Sequence, residues 1–279
     1  MKIDITTNSI KIYNPSYFSA LQILECGQIF RYSKIDNYYR VISADKICKV
    51  YTYEDRVEIV TYDVDYFYNF FDLDTDYSVI ASSLSKDPKL ARAVEFGRGI
   101  RLLKQQPLEI ILSFIISANN NIPRIKSIIE RLCMDLGTDM GEYYAFPTLK
   151  QLSLADKTYF DTIGAGYRAN YLYNTVSVLA EDSRFSNLDI FYELDTNIAR
   201  YTLKYLKGVG RKVADCILLF AFQKMDVFPV DTWIVKVYID MFGSQCACEK
   251  MSEQLSAIYG NLSGYAQQYL FYMKREYKN

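Results

Sequence analysis

Residues 201–237, YTLKYLKGVGRKVADCILLFAFQKMDVFPVDTWIVKV, decide how the chain is read. The first part has helical spacing, is interrupted at Leu206-Lys207-Gly208-Val209-Gly210, and resumes as a second helix near Arg211. The two glycines predict a turn too tight for residues with a Cβ, leaving amide N–H groups exposed at a helix start. Such a concavity suits a phosphate, because unpaired donors and the helix dipole both favour negative charge. Val213, Ala214, Ile217 and Leu218 have the spacing of a buried helix face. Lys212 falls in the first helical turn, a poor place for a cation. It either snorkels to solvent or is kept partly neutral for a purpose. Farther on, Pro229-Val230-Asp231-Thr232 predicts another helix start, with Asp231 at or near its N-cap.

Outward from this stretch, the C-terminal part reads as helical. The 3.6-residue period predicts helices at 89–95, 107–117, 122–135, 152–161, 169–181, 190–205, 211–222, 232–241, 249–259 and 265–274. The N-terminal part reads differently. Residues 1–12 predict an edge strand, and 18–24 a short helix ending at Cys26-Gly27. From Gln28 to Tyr62 the pattern is aromatic and β-branched, broken at 34–37, 44–45 and 54–55, which predicts an antiparallel sheet of about four to six strands. Residues 63–77 are acidic and aromatic, and 78–88 read as a surface helix or linker. The expected class is therefore α+β, with a sheet domain over 1–87 and a helical domain over 88–279 that carries the hairpin at 206–212.

Composition narrows the chemistry. With 279 residues, half of them hydrophobic, the chain can bury a substantial core. It has no histidine, which removes imidazole acid–base chemistry, His-based triads and most catalytic zinc sites. The net charge of -1 argues against a polybasic tail binder but permits a local cationic groove. Residues 1–85 hold 8 Lys/Arg against 12 Asp/Glu, so a nucleic-acid face is expected in the more basic remainder. Six scattered cysteines fit a reduced cytoplasm, and Cys246-Ala247-Cys248 reads as a loop without metal. The most apolar runs, Ile110–Ile116 and Cys216–Phe222, are seven residues each and too short to span a membrane.

Three polar patches break the helical pattern: Ser117–Asn121 (SANNN) followed by Arg124, Gly164–Ala169 (GAGYRA), and Gly27–Arg31 (GQIFR). Each alone reads equally well as a loop with capping residues. Together with LKGVGRKVADC (206–216), PVDTW (229–233) and GYAQQYLF (264–271), they resemble the helix–hairpin–helix superfamily of DNA base-excision glycosylases, and within it the 8-oxoguanine DNA glycosylases of the eukaryotic type. The likeness covers nearly the whole chain.

The resemblance implies roles. Lys212 is implied as the nucleophile that attacks the sugar C1′, giving a Schiff base and then β-elimination. The positive end of the helix dipole favours the proton loss such an amine needs. Asp231 is implied as the carboxylate that stabilises the oxocarbenium-like sugar, and it can cap its helix as well. The carbonyl of Gly27 would accept the N7 hydrogen that separates 8-oxoguanine from guanine. Phe271 and Cys216 would sandwich the flipped base, or simply pack in the core. Gln267 would bond its Watson–Crick edge. Asn119 and Tyr167 would fill or wedge the emptied stack, while Arg124 and Arg168 would read the opposite cytosine or contact phosphate. Gly208, Gly210 and Lys207 would hold the DNA backbone.

Two departures stand out. Trp233 replaces the family's histidine, which puts that 5′-phosphate contact in question although its indole N–H could replace part of it at the DNA backbone, and Lys207 replaces a proline. The four-cysteine motif of the iron–sulfur branches is absent after Tyr269, so no cluster and no other cofactor is expected. The expected partner is double-stranded DNA carrying 8-oxoguanine, met by a monomer in the cytoplasm, at the nucleoid if the source is bacterial, with no membrane involved. The rival readings are a glycosylase of the same superfamily for another damaged purine, and a non-catalytic hairpin DNA-binding protein. The latter would not need Lys212 and Asp231 together.

Overall fold

The computed structural model describes residues 2–277. Six strands form one antiparallel sheet: β1 (Lys2–Ile5), β2 (Ser9–Tyr13), β3 (Tyr32–Ile35), β4 (Tyr38–Ser43), β5 (Lys46–Thr52) and β6 (Arg56–Val60). Their order is β1-β2-β6-β5-β4-β3. The helices are α1 (Ala20–Glu25), α2 (Val64–Phe70), α3 (Tyr77–Leu84), α4 (Pro88–Phe96), α5 (Pro107–Ser117), α6 (Ile122–Leu136), α7 (Leu149–Leu152) and α8 (Lys157–Thr162). They continue with α9 (Ala169–Glu181), α10 (Ile190–Glu193), α11 (Thr196–Leu203), α12 (Arg211–Phe220), α13 (Thr232–Phe242), α14 (Cys248–Tyr259) and α15 (Ser263–Glu276).

The sheet forms because alternate residues face one way. Ile10, Ile12, Tyr39, Val41, Cys48, Val50, Val57 and Ile59 are all buried, and their period of two puts them on a single face. That face packs against Ile23 and Leu24 of α1 and Phe67 and Phe70 of α2. The expected breaks in the sheet are turns, with Asp36 and Ala44 in the left-handed region. Where 1–12 read as one edge strand, Lys2–Ile5 and Ser9–Tyr13 pair as a hairpin. Thr6 and Ser9 close it through their hydroxyls at 2.9 Å, and the shift in alternation between Ile5 and Ile10 marks the turn.

The helical body has its own core, which also takes Tyr77, Ile80 and Leu84 of α3 and Cys26 and Phe30 from the turn after α1. Of the two readings of 78–88, helix or linker, the helix holds: Ile80, Ala81 and Leu84 turn inward while Val79 stays exposed. Of the helices expected from periodicity, 190–205 is split and 152–161 is helical only from Lys157, after the last residue of α7. In the 190–205 segment Asp195 intervenes, its carboxylate accepting from Asn197 N at 2.9 Å and Ile198 N at 3.3 Å. In the 152–161 segment Asp156 does the same for Tyr159 N at 2.8 Å. An N-cap stops one helix by starting the next. Arg211–Phe222 ends two residues early, at Phe220, before Gln223 turns left-handed. Among the described residues no helix is long and apolar enough to cross a membrane.

One buried residue joins the sheet region to the body beside the future site. Gln28 donates to the carbonyls of Ile23 (2.9 Å) and Arg101 (2.8 Å) and accepts from Leu103 N at 2.9 Å. These bonds fix the turn carrying Gly27 against the strand-like segment before α5.

Candidate active site

The hairpin lies between α11 and α12. Gly208 has φ +87°, and a Cβ there would sit 2.5 Å from Cδ2 of Tyr171. Thr175 of α9 donates to the carbonyl of Lys207 at 3.4 Å, fastening the loop from below. Gly210 corrects the sequence reading. Its φ of -85° and ψ of -176° are extended backbone that any residue adopts, and a Cβ there would meet nothing within 4 Å. Its N-cap position has no side-chain cap, so the first-turn N–H groups of α12 keep their donor capacity. The loop therefore needs one glycine for its own shape, while the other leaves open space in front of the helix.

The difference is measurable. Gly208→Ala is expected to cost about 1–3 kcal/mol of stability, through strain and the overlap with Tyr171. Gly210→Ala is expected to leave the melting temperature within about one degree of wild type. Thermal denaturation of both variants checks the assignment, and a larger loss in Gly210→Ala would contradict it.

From the hairpin, Lys212 points into the protein. Its Nζ lies 5.6 Å from the ring centroid of Phe114. Lys212 and Asp231 line one narrow cavity of about 60 Å³, together with Gly27, Cys216, Gln267 and Phe271. Asp231 is the N-cap of α13, and its Oδ1 accepts from Trp233 N at 3.0 Å and Ile234 N at 2.9 Å. Those two bonds hold the carboxylate rigidly at the positive end of a helix. Cys216 is one turn beyond Lys212. Burial pushes its thiol up to about 11, against a smaller opposing pull from Lys212, so it is a neutral wall of the cavity.

The remaining walls are held by buried polar contacts. Gly27 adopts φ +83°, and a Cβ on it would lie 3.3 Å from Cε1 of Phe271 and 3.0 Å from Nη1 of Arg275. Gln268 donates to the carbonyl of Cys26 at 2.7 Å. Gln267, 5% exposed, carries an Oε1 with no hydrogen-bond partner. A buried acceptor left unpaired costs about 1–3 kcal/mol, which a ligand donor recovers. Phe271 is half-buried and faces the Arg275 guanidinium at 5.2 Å. Sequence reading missed five contributors, one of them Pro229, just before the Asp231 cap. Phe114 and Phe220 stack at 5.4 Å and line the cavity with Cys26 and Gln268. The phenylalanines sit in the two most apolar runs of the chain, where nothing distinguishes a site wall from core.

The other singled-out residues gather on a second rim. A groove of about 630 Å³ runs past Ala118, Tyr167, Tyr171, Lys207, Gly208 and Gly210, joining the hairpin to the SANNN loop. Asn119 has φ +50° and is exposed, whereas Asn120 caps α5 through the Ile116 carbonyl (3.1 Å) and Asn121 caps α6 through Arg124 N (3.0 Å). Tyr167, 54% exposed, donates to the Ala118 carbonyl at 3.1 Å. Arg124 is exposed and touches the carbonyl of Gly164 at 3.1 Å. Arg168 differs: it is 2% exposed, donating to the carbonyls of Ala118 (2.5 and 2.8 Å), Asn119 (2.7 Å) and Ala165 (3.4 Å). In this arrangement it organises the loop. Trp233 does not line the cavity; it lies half-buried on the next face, under Lys236 at 4.4 Å.

Residues 11–111 match the N-terminal domain of 8-oxoguanine DNA glycosylase, and residues 112–259 match the HhH-GPD superfamily of base excision DNA repair proteins. The chain belongs to the 8-oxoguanine DNA glycosylase family. It is 39% identical to the 8-oxoguanine glycosylase/lyase of Clostridium acetobutylicum, solved with double-stranded DNA containing cytosine opposite 8-oxoguanine. That likeness has a TM-score of 0.92 and covers 99% of this chain and 98% of the other. It is 34% identical over 226 residues to the "Probable N-glycosylase/DNA lyase" of Methanothermobacter thermautotrophicus, covering 72% of this chain and 70% of that protein. The N-glycosylase/DNA lyase OGG1 of Arabidopsis thaliana is also 34% identical, over 67% of this chain; the match spans 55% of that longer relative. The glycosylase fold thus accounts for both halves of the chain, sheet and hairpin body alike.

Proposed function

We propose that the chain is a bifunctional DNA glycosylase and AP lyase that removes 8-oxoguanine from duplex DNA. The observation that carries this reading is the convergence of Lys212, Asp231, Gly27 and the unpartnered Gln267 oxygen on one cavity. A nucleophile and a carboxylate for the sugar lie beside polar groups for a base. A binding-only protein needs no such pair, and an enzyme working through the carboxylate alone needs no lysine in the cavity wall.

In this reading the lesion leaves the stack and enters between Phe271 and Cys216. The Gly27 carbonyl accepts the N7–H of 8-oxoguanine; guanine presents an acceptor there and is rejected by an acceptor–acceptor clash. Gln267 bonds the Watson–Crick edge. As the N-glycosidic bond breaks, its electron pair leaves with the base, and Asp231 stabilises the cationic sugar. The departing base, holding that pair, takes a proton from the Lys212 ammonium, and the resulting amine bonds to C1′. The C1′–O4′ bond then opens, O4′ gains a proton, and a protonated imine remains. Loss of a C2′ proton expels the 3′ phosphate, and water hydrolyses the imine to regenerate the lysine.

The hairpin binds phosphate through the uncapped N–H groups behind Gly210. A bulky residue at Gly210 is expected to weaken binding to lesion and undamaged duplexes about equally, since backbone contacts position without specifying. A binding titration with both duplexes checks this; loss confined to the lesion duplex would contradict it.

Opposite-base choice falls first to Arg124, whose guanidinium is exposed beside Asn119 and Tyr167. Arg168 joins only if it releases the loop carbonyls. Cytosine offers O2 and N3 acceptors to such donors, whereas adenine presents an amino group. A good contact of this kind is worth about 1–3 kcal/mol, or roughly 5- to 150-fold. Wild type is expected to excise 8-oxoguanine faster opposite cytosine than adenine, and Arg124→Ala to narrow that ratio by a factor in this range. Single-turnover excision against all four opposite bases tests it. Equal wild-type rates opposite cytosine and adenine would remove the arginine-reader model.

Excision from duplexes carrying 8-oxoguanine, guanine or 3-methyladenine at one position tests the function as a whole. Release of 8-oxoguanine with strand cleavage is expected. Preferential release of 3-methyladenine would place the chain with another lesion instead.

A further inference from the structure

A second groove of about 630 Å³ lies outside the cavity, between α4, α13 and α15. Its size is within the roughly 300–1,000 Å³ that holds an organic ligand. Four cations line it, Lys89, Arg92, Lys236 and Lys274, against one acid, Asp240. Lys274 is neutralised by Asp240 at 2.6 Å. The other three, among the described residues, pair with no carboxylate and lie over aromatic rings instead. Lys89 Nζ is 4.5 Å from the Phe242 centroid, Arg92 Cζ 4.5 Å from Tyr277, and Lys236 Nζ 4.4 Å from Trp233. Three unneutralised cations gathered in one groove repel one another and call for an anion, the more so in a chain whose net charge is -1.

The groove opens beside the chemistry. Trp233 lines it, and the backbone N–H of the same residue is bonded to Asp231 Oδ1. On α15 the groove residue Leu270 adjoins Phe271, which lines the catalytic cavity. A strand whose nucleotide enters the cavity therefore passes the Trp233 end of the groove. Cations tracking phosphates, with aromatic rings offering stacking faces, are the combination that holds a nucleic-acid strand without reading its sequence.

We propose that this groove binds the lesion-bearing strand beyond the flipped nucleotide, through phosphate contacts to Lys89, Arg92 and Lys236 with stacking on Trp233. The proposal rests on the glycosylase reading for which strand arrives, and its binding test is independent of excision.

The test uses the full chain and a triple variant, Lys89→Ala/Arg92→Ala/Lys236→Ala. A control, Lys2→Ala/Lys150→Ala/Lys157→Ala, changes the net charge equally at residues that do not line the groove. Binding to undamaged and 8-oxoguanine duplexes is titrated against salt. Each phosphate contact contributes about 0.9 to the log–log slope for duplex DNA. The groove variant is expected to lose about 2 to 3 from that slope relative to wild type and control, with single-turnover excision at saturation within about twofold of wild type. Trimming the lesion strand on one side of the lesion is expected to bring wild-type affinity down to that of the variant, which itself responds little.

Equal slopes for groove variant and control would overturn the proposal. So would affinity insensitive to trimming on either side while free deoxynucleoside monophosphate quenches Trp233, the chain's single tryptophan, because the occupant would then be a mononucleotide. If wild type released no 8-oxoguanine yet the slope difference and trimming response persisted, the enzymatic reading would fail and the groove would stand.

Discussion

Lys212→Gln is expected to lower single-turnover excision of 8-oxoguanine by at least about 10⁴-fold, since groups that act as a unit lose nearly everything together. The same variant should bind the lesion duplex within a few-fold of wild type. Lys212 is half-buried in the cavity wall, its Nζ over Phe114, and it makes no ion pair among the described residues. Glutamine keeps most of its length and its capacity to bond, so the fold and the hairpin should survive. The amine alone is lost. Excision and binding measured side by side check this, with thermal denaturation to show that the fold is intact. A variant that still cut at a tenth of the wild-type rate would mean that another group attacks the sugar.

The second large effect separates two duties of Asp231. Its Oδ1 caps α13 through two backbone N–H groups, at 3.0 and 2.9 Å. Asparagine caps a helix about as well as aspartate, whereas alanine loses roughly 1 kcal/mol. Asp231→Asn should therefore melt within a degree or so of wild type, and Asp231→Ala a few degrees lower. Both should lose about 10²–10⁴-fold in excision, because neither offers a negative charge to the sugar cation. If Asp231→Asn kept nearly full activity, the residue would be a cap and nothing more.

These two residues were legible in the sequence for a physical reason: each sits at a helix start marked by glycine or proline. The sheet was equally legible, since period-two burial leaves its trace in Tyr39, Val41, Cys48 and Val50. Where a short polar residue decided the outcome, periodicity misled. Asp195 and Asp156 each start a new helix inside a continuous apolar pattern, so 190–205 holds two helices and 152–161 is helical only from Lys157. The hairpin glycines read alike in sequence, yet only Gly208 has positive φ and a neighbour that forbids a side chain.

The cavity was the least legible part. Gly27 lies far along the chain from Gln267 and Phe271, which share α15, and only resemblance to a family linked them beforehand. Phe114 and Phe220 were invisible because a ring facing a cavity and a ring facing the core have the same sequence context. Arg168 shows the converse. A guanidinium in a polar turn reads as exposed, but the carbonyls of Ala118 and Asn119 draw it inside.

The most direct test of the account is to incubate the protein with duplex DNA carrying one 8-oxoguanine opposite cytosine in the presence of borohydride, then map the protein–DNA adduct by peptide mass spectrometry. Free 8-oxoguanine and a reduced adduct on Lys212 are expected. Base release with the adduct on any other residue, or no base release at all, would contradict it.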